Sequence, residues 1–479
     1  MRNLAKLVVD AAERDPDKLA VSAPDGVLTY SQLDDLANQI AAELKTLGVK
    51  KGDRVVIWKE KSIGAIAAMQ GVLRLGAAYV PIDPLGPVSR AEKIIRSAKP
   101  SALVCGQRLQ PAAEKHGMPI LDFDKVAQIS KQSIWTEVDQ NDLAYILYTS
   151  GSTGEPKGVC ISHKNAYAFV DWAVDTLAIG SKDRLSNHAP FHFDLSVLDI
   201  YGAFSAGASV HLIPESSAYL PAELTRFVDV HKLTIWYSVP SALSMMLEFG
   251  KMKTRSLRTI CFAGEPFPIP QLRALRNAFP DAELFNLYGP TETNVCTYYK
   301  VEEISSDRVS PVPIGAGCSG NRVWAEDQNG KEVPIGGEGQ LMVEGESVML
   351  GYWGQPPQKP VYGTGDLVRR VETDCYEFIG RIDNMVKIRG FRVELGEIEA
   401  CLATLAPVYE CAVAVKGIGI QAKLVAYMVA RGEEKPGLLA VKKHCAEALP
   451  RYMIVDKVRW VDSLPRNANG KVDKRKLAD

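Results

Sequence analysis

Short β-branched runs alternate with helical patterns through the first half of this chain, and that alternation narrows the fold more than any other feature. Arg54-Val55-Val56-Ile57-Trp58 reads as a buried strand, Ile63 to Leu75 as a helix, and Ala78-Tyr79-Val80-Pro81-Ile82 as the next strand. Such units build parallel or mixed sheets with helices on both faces. At 479 residues the chain is too long for one compact core, so more than one domain is expected. From Pro311 to Tyr352 the pattern changes to short strands broken by glycine turns such as Asn329-Gly330 and Ile335-Gly336-Gly337, which predicts a β-rich subdomain. Polar, turn-prone Gly380-Arg381-Ile382-Asp383-Asn384 then leads into a compact α+β segment of roughly ninety residues from Val386. The expected class is α/β: a large N-terminal domain of parallel and mixed sheets with a β-rich subdomain, then a small α+β C-terminal domain.

Composition mainly excludes. Acids and bases nearly cancel, 57 against 56, so nothing pulls the chain as a whole toward nucleic acid. No apolar run is long enough for a bilayer, and Met1-Arg2-Asn3-Leu4-Ala5-Lys6 lacks a signal-peptide core, so a cytoplasmic protein without membrane attachment is expected. Nine cysteines without a C-x-x-C pair and seven histidines without H-E-x-x-H spacing suggest neither a disulfide framework nor a zinc site.

The most specific local signal is Leu147-Tyr148-Thr149-Ser150-Gly151-Ser152-Thr153-Gly154-Glu155-Pro156-Lys157-Gly158, directly after an apolar run. Small residues let backbone N–H groups close on phosphate oxygens, and the hydroxyls and lysine add donors. A flexible surface loop is the plain alternative. It is not a Walker A loop, because Lys157 stands between proline and glycine. Gly315-Ala316-Gly317-Cys318-Ser319-Gly320 spells G-x-G-x-x-G, but no helical pattern follows, which argues against a dinucleotide site.

The loop resembles the phosphate-binding signature of the adenylate-forming superfamily, which comprises acyl- and aryl-CoA ligases, luciferases and nonribosomal-peptide adenylation domains. Further segments resemble that family's motifs in its order: Leu28-Thr29-Tyr30-Ser31-Gln32-Leu33, Gly76 to Asp83, Asn286-Leu287-Tyr288-Gly289-Pro290-Thr291-Glu292, Tyr362 to Leu367, Gly380 to Gly390 with Glu394-Leu395-Gly396-Glu397, and Asn469-Gly470-Lys471-Val472-Asp473. Departures are Val455 for the usual proline, and Asn467 and Lys474 for a more common hydroxyl residue and arginine.

The resemblance implies that a substrate carboxylate attacks the α-phosphorus of ATP with Mg²⁺ present, and that pyrophosphate leaves. Carried over residue by residue, Thr149, Ser150, Gly151, Ser152, Thr153, Gly154 and Lys157 hold the phosphates, and Glu292 is the metal ligand. Asn286, Tyr288 and the Gly264-Glu265-Pro266 stretch form the adenine slot, and Leu287, Gly289 and Thr291 are further nucleotide-binding positions. Asp366 accepts the ribose hydroxyls, with Arg381 beside it. Lys471 bridges substrate carboxylate and α-phosphate, and Thr149, Glu292, Lys387 and Lys471 are the catalytic set. The family pattern places a large core at 1–382, a hinge at 383–385 centred on Asp383, and a mobile lid at 386–479. Rotation at the hinge withdraws Lys471 and brings the Lys387 to Glu394 segment to the site for thiol attack.

Pro190-Phe191-His192-Phe193-Asp194-Leu195-Ser196 is similar to the amino-acid-activating branch, in which the aspartate holds the α-ammonium. A buried carboxylate is costly unless it meets a cation, so Asp194 suits an amino acid. It also suits an N-cap for the helix that follows. The side-chain pocket carried over is Asp194, Leu195, Leu198, Tyr237, Cys261, Ala263, Leu287, Val295 and Cys296, with Lys471 on the carboxylate. This set resembles that of stand-alone prolyl-adenylating enzymes and implies a small apolar amino acid, L-proline first. Alanine or D-alanine, or an acyl or aryl acid joined to CoA, are the alternatives. The chain ends at Asp479, just after the lysine motif, so a separate phosphopantetheinyl carrier protein is the expected acceptor.

Overall fold

A computed structural model of the chain describes residues 2–126, 133–151, 155–382, 385–388, 390–417, 421–466, 472 and 474–478. The strand–helix–strand reading holds. Arg54–Trp58 and Ala78–Pro81 are parallel neighbours joined by the helix Ile63–Arg74. Ser62 caps that helix by accepting from the Ala65 N–H, and the helix is buried along its length, as its apolar composition requires. These strands belong to a six-stranded sheet ordered Gly351–Tyr352, Lys157–Ser162, Leu143–Thr149, Ala78–Pro81, Arg54–Trp58, Ala102–Cys105.

A nine-stranded sheet lies against it. Its parallel centre is formed by Ser209–Leu212, Arg184–Asn187, Ile235–Ser238, Thr259–Phe262 and Glu283–Tyr288. Both sheets feed one apolar core: Val55, Tyr79 and Leu147 from the first meet Leu185, Val210, Tyr237 and Phe285 from the second. Strands covered on both faces read as continuous apolar runs, which is why they stood out in the sequence.

The β-rich subdomain is an antiparallel sheet of Asn321–Glu326, Glu338–Gly345, Val361–Glu372 and Cys375–Arg381. It runs past the expected limit at Tyr352: its longest strand, Val361–Glu372, follows the glycine- and proline-rich stretch 354–360. The Gly315–Gly320 segment leads into strand Asn321–Glu326 rather than a helix, as expected.

The separate C-terminal α+β domain opens with a hairpin pairing Met385–Ile388 with Phe391–Glu394. Three strands, Val408–Lys416, Lys423–Ala430 and Lys457–Trp460, then pack on the helices Leu395–Ala403 and Leu438–Ala448 around a core of their own. This domain is docked on the large one. Arg90 and Glu397 form a buried ion pair across the junction, and Ser89 Oγ donates to the Glu447 carbonyl at 2.8 Å. Phe391 stacks on Tyr452 with ring centres 4.1 Å apart, and the edge of Phe193 meets Phe391 at 5.1 Å. No helix among the described residues is long and apolar enough to cross a membrane.

Candidate functional site

The strand ends Pro81, Thr149, Ser238, Phe262 and Tyr288 point one way, and the loops after them open a cleft closed on its far side by the C-terminal domain. Ligands of α/β sheets gather at such carboxyl ends. The cleft holds about 1210 Å³ of space, part of it open to solvent.

At one end stands the glycine loop. Leu143–Thr149 and Lys157–Ser162 are antiparallel, so the segment between them is their turn. Thr149 and Ser150 line the cleft, and a Cβ on Gly151 would collide with the Glu155 carbonyl, so no other residue fits there. Lys157 is exposed, with Nζ 5.6 Å from the centre of the Tyr352 ring. Ser152, Thr153 and Gly154 lie outside the described residues, as do Asp383 and Lys471.

Glu292 is fully buried behind this loop. Arg392 Nη1 donates to both its carboxylate oxygens, at 2.7 and 2.9 Å, and the Tyr352 hydroxyl donates to Oε1 at 2.7 Å. Burial pushes the Glu292 carboxyl up, but the Arg392 guanidinium and the Tyr352 hydroxyl outweigh it and hold the group below its ordinary value. Ser150 Oγ donates to the Arg392 carbonyl at 3.0 Å, so the hairpin is tied to the glycine loop as well. In this arrangement both oxygens of the carboxylate assigned to the metal are paired with Arg392, and one of them also with Tyr352.

Beside it is the pocket read as the nucleotide end. Gly264, Glu265, Pro266, Asn286, Leu287, Tyr288 and Lys387 wall a smaller cavity. Asn286 Nδ2 donates to the Pro313 carbonyl at 2.7 Å. Glu265 accepts from the Ser241 N–H and hydroxyl, and burial pushes its carboxyl up to about 7. Asp366 is buried, accepts from the Tyr288 hydroxyl on one oxygen and from Arg381 Nη1 at 2.8 Å on the other, and sits opposite Arg381 in the strand pairing. Lys387 Nζ lies 5.2 Å from the centre of the Tyr288 ring.

At the other end Asp194 lines the cleft with Leu195, Tyr237, Ala263, Gly289, Thr291 and Val295. Asp194 occupies the N-cap position of its helix without a regular side-chain cap bond, although its carboxylate accepts from the Leu195 backbone N–H. Burial pushes its carboxyl up; the Thr291 hydroxyl and the more distant Lys387 charge only partly offset this. Among the described residues no ion pair reaches it. Three residues assigned to this pocket stand back from the cleft surface: Leu198, Cys261 and Cys296 are fully buried and form the layer behind it. Leu198 begins a π-helical turn, Leu198–Gly202. Leu287 faces the neighbouring smaller cavity instead.

Sequence reasoning missed Arg392, Tyr352 and the Phe193–Phe391–Tyr452 stack. Arg392 falls inside the Lys387 to Glu394 segment already singled out, but its partner is 100 residues away, and nothing local announces the pair. Gly390, at φ +80°, carries a signal: a Cβ there would collide with Val239, so the hairpin tip can approach the strand ends only as glycine.

The model of the AMP-binding enzyme family matches residues 8–353, and that of the AMP-binding enzyme C-terminal domain matches residues 397–471. An L-proline–[L-prolyl-carrier protein] ligase of Pseudomonas fluorescens is 47% identical over 496 aligned positions, covering 100% of this chain and 99% of the relative. Another of the same description, from Streptomyces coelicolor, is 39% identical, covering 94% and 91%. Among solved structures, that of IdnL1 superposes with a TM-score of 0.82 at 29% identity, covering 97% of this chain and 99% of the other.

Proposed function

The chain belongs to the AMP-binding enzyme family, and from that premise we propose that it activates L-proline with ATP, releases pyrophosphate and passes the prolyl group to the phosphopantetheine thiol of a separate carrier protein. The full-length likeness to two ligases described as acting on L-proline and a prolyl carrier protein carries the reading. The cleft supports it.

Asp194 is the partner we assign to the substrate ammonium. Burial destabilises its charge, and a cation seated 3 Å away, a distance of about one hydrogen bond, would restore it. Proline's secondary ammonium has two N–H donors, enough for Asp194 and one carbonyl. Leu195, Tyr237, Ala263 and Val295 offer the ring an apolar wall without a second charge. We assign the glycine loop, with Thr149, Ser150 and Lys157, to the phosphates, the cavity at Glu265, Asn286 and Tyr288 to adenine, and Asp366 to the ribose. Asp366 would exchange its Tyr288 contact for a hydroxyl. Lys471 is assigned to the first half-reaction and the hinge to Asp383, with 1–382 and 386–479 as the moving parts.

Magnesium belongs to the same proposal, with Glu292 as its protein ligand and phosphates and water completing the shell. It does not fit beside Arg392 while the hairpin is seated as it is in this structure. The second half-reaction suits this arrangement. An arm of the cleft runs out between Ile82, Pro87, Ala91, Ile94, Pro450 and Tyr452. It gives an extended thiol a mostly apolar path to the carbonyl that Asp194 would position.

An ATP–pyrophosphate exchange screen over all amino acids, D-forms included, tests the proposal. L-Proline should lead, with alanine behind by about 1–3 kcal/mol for the methylenes it lacks. A kcat/KM that favours alanine, or CoA accepted in place of carrier thiol, would overturn it.

A further inference from the structure

Glu292 is fully buried and has two suitors. One is Arg392, whose Nη1 bonds both carboxylate oxygens, with Tyr352 on a third lone pair. The other is the divalent cation that activation requires. A carboxylate offers about four lone-pair sites; these three contacts and a backbone N–H of Glu292 itself take them up, so a small octahedral cation has no site clear of the guanidinium. The position of Arg392 is set from both sides. Its carbonyl accepts from Ser150, its hairpin is pinned where Gly390 meets Val239 and Gly264, and the next aromatic, Phe391, is stacked on Tyr452. When the hairpin is seated, the guanidinium is therefore delivered to Glu292 and to no other carboxylate among the ion pairs of the described residues.

We infer that Arg392 and the divalent cation are mutually exclusive partners of Glu292, so that the hairpin seats only when the metal has left and, once seated, keeps the metal out. Arg392 is a positioning residue: it acts by taking over a buried charge that departing metal leaves behind. An uncompensated Glu292 would be costly in either arrangement, and the exchange of one cation for another keeps it neutralised in both. This inference rests on the adenylation reading, because that reading is what brings a metal to Glu292.

The test is a Mn²⁺ titration of the full chain with α,β-methylene-ATP, followed by electron paramagnetic resonance. Arg392→Gln should bind Mn²⁺ about tenfold more tightly than wild type, within the usual range for coupled binding events. Arg392→Lys should return part of the way, and Glu292→Gln should weaken Mn²⁺ binding in both backgrounds. Equal Mn²⁺ affinity in wild type and Arg392→Gln overturns the inference. A measurement on the unmodified chain guards against a variant that folds poorly: saturating Mn²⁺ should speed hydrogen exchange across residues 385–394, and unchanged exchange there is equally fatal. Proline-dependent pyrophosphate exchange by the wild-type chain is run alongside. Its absence removes the functional reading, whereas its presence with equal Mn²⁺ affinities removes only the competition.

Discussion

At one end of the cleft a carboxylate, Asp194, has only a neutral hydroxyl and a backbone N–H for company; beside the glycine loop another, Glu292, is held by a guanidinium on both oxygens and by a phenol besides. Burial acts on both in the same direction, toward the neutral acid. Only at Glu292 does the protein supply its own compensation, and the two groups move opposite ways from their ordinary values. The lesson concerns where a binding site keeps its unfinished business. A carboxylate left short of a cation is poised to select one from solution, whereas a carboxylate already satisfied contributes to the architecture until its partner is withdrawn.

The largest expected effect comes from removing the uncompensated group. Asp194→Ala should cost about 3–5 kcal/mol of substrate binding, a loss of at least about a hundredfold in proline-dependent exchange. Exchange at the wild-type level would break the contrast at its first term. Next, Glu292→Gln should destabilise the fold by about 3 kcal/mol, since it leaves Arg392 paired with a neutral amide in a buried setting; a thermal melt reads this directly. A melt unchanged from wild type would mean that Glu292 is not satisfied in solution as it is here.

A smaller loss is expected at Gly390. Alanine there must occupy the left-handed region and push into Val239, a strain of about 1–3 kcal/mol that falls only on the seated hairpin. Carrier loading from preformed prolyl-adenylate should slow while pyrophosphate exchange continues. Equal slowing of both steps would show that the hairpin serves each half-reaction alike.

The smallest effect runs the other way. Asp194→Asn should raise the melting stability by about 1 kcal/mol even as it removes activity. The sign follows from the upward shift at Asp194: the folded chain binds a proton more readily than the unfolded chain, so this group's contribution falls as pH rises through its folded value. The gain of Asp194→Asn over wild type should accordingly shrink in acid, and a gain independent of pH would count against the shift.

Much of this was legible in the sequence. Parallel strands such as Arg54–Trp58 and Ala78–Pro81 are buried on both faces, and the helix between them is apolar all round, so composition alone marks them. The glycine loop and Asp194 were legible because each carries its chemistry in consecutive residues. The layer behind the amino-acid pocket was not. Leu198, carried over from the family resemblance, is fully buried at the start of a π-helical turn that no local pattern in the sequence marks.

What the sequence settled by itself is the family, the order of the elements and the residues available for each task, because short-range patterning and local motifs depend only on neighbours along the chain. What tertiary structure alone decided is which charges meet. Glu292 and Arg392 are paired by the seating of a small domain on a large one, and Asp366 meets Tyr288 from another sheet. The energy of a buried charge depends on what lies within a few ångströms of it in space, and no pattern along the chain carries that distance.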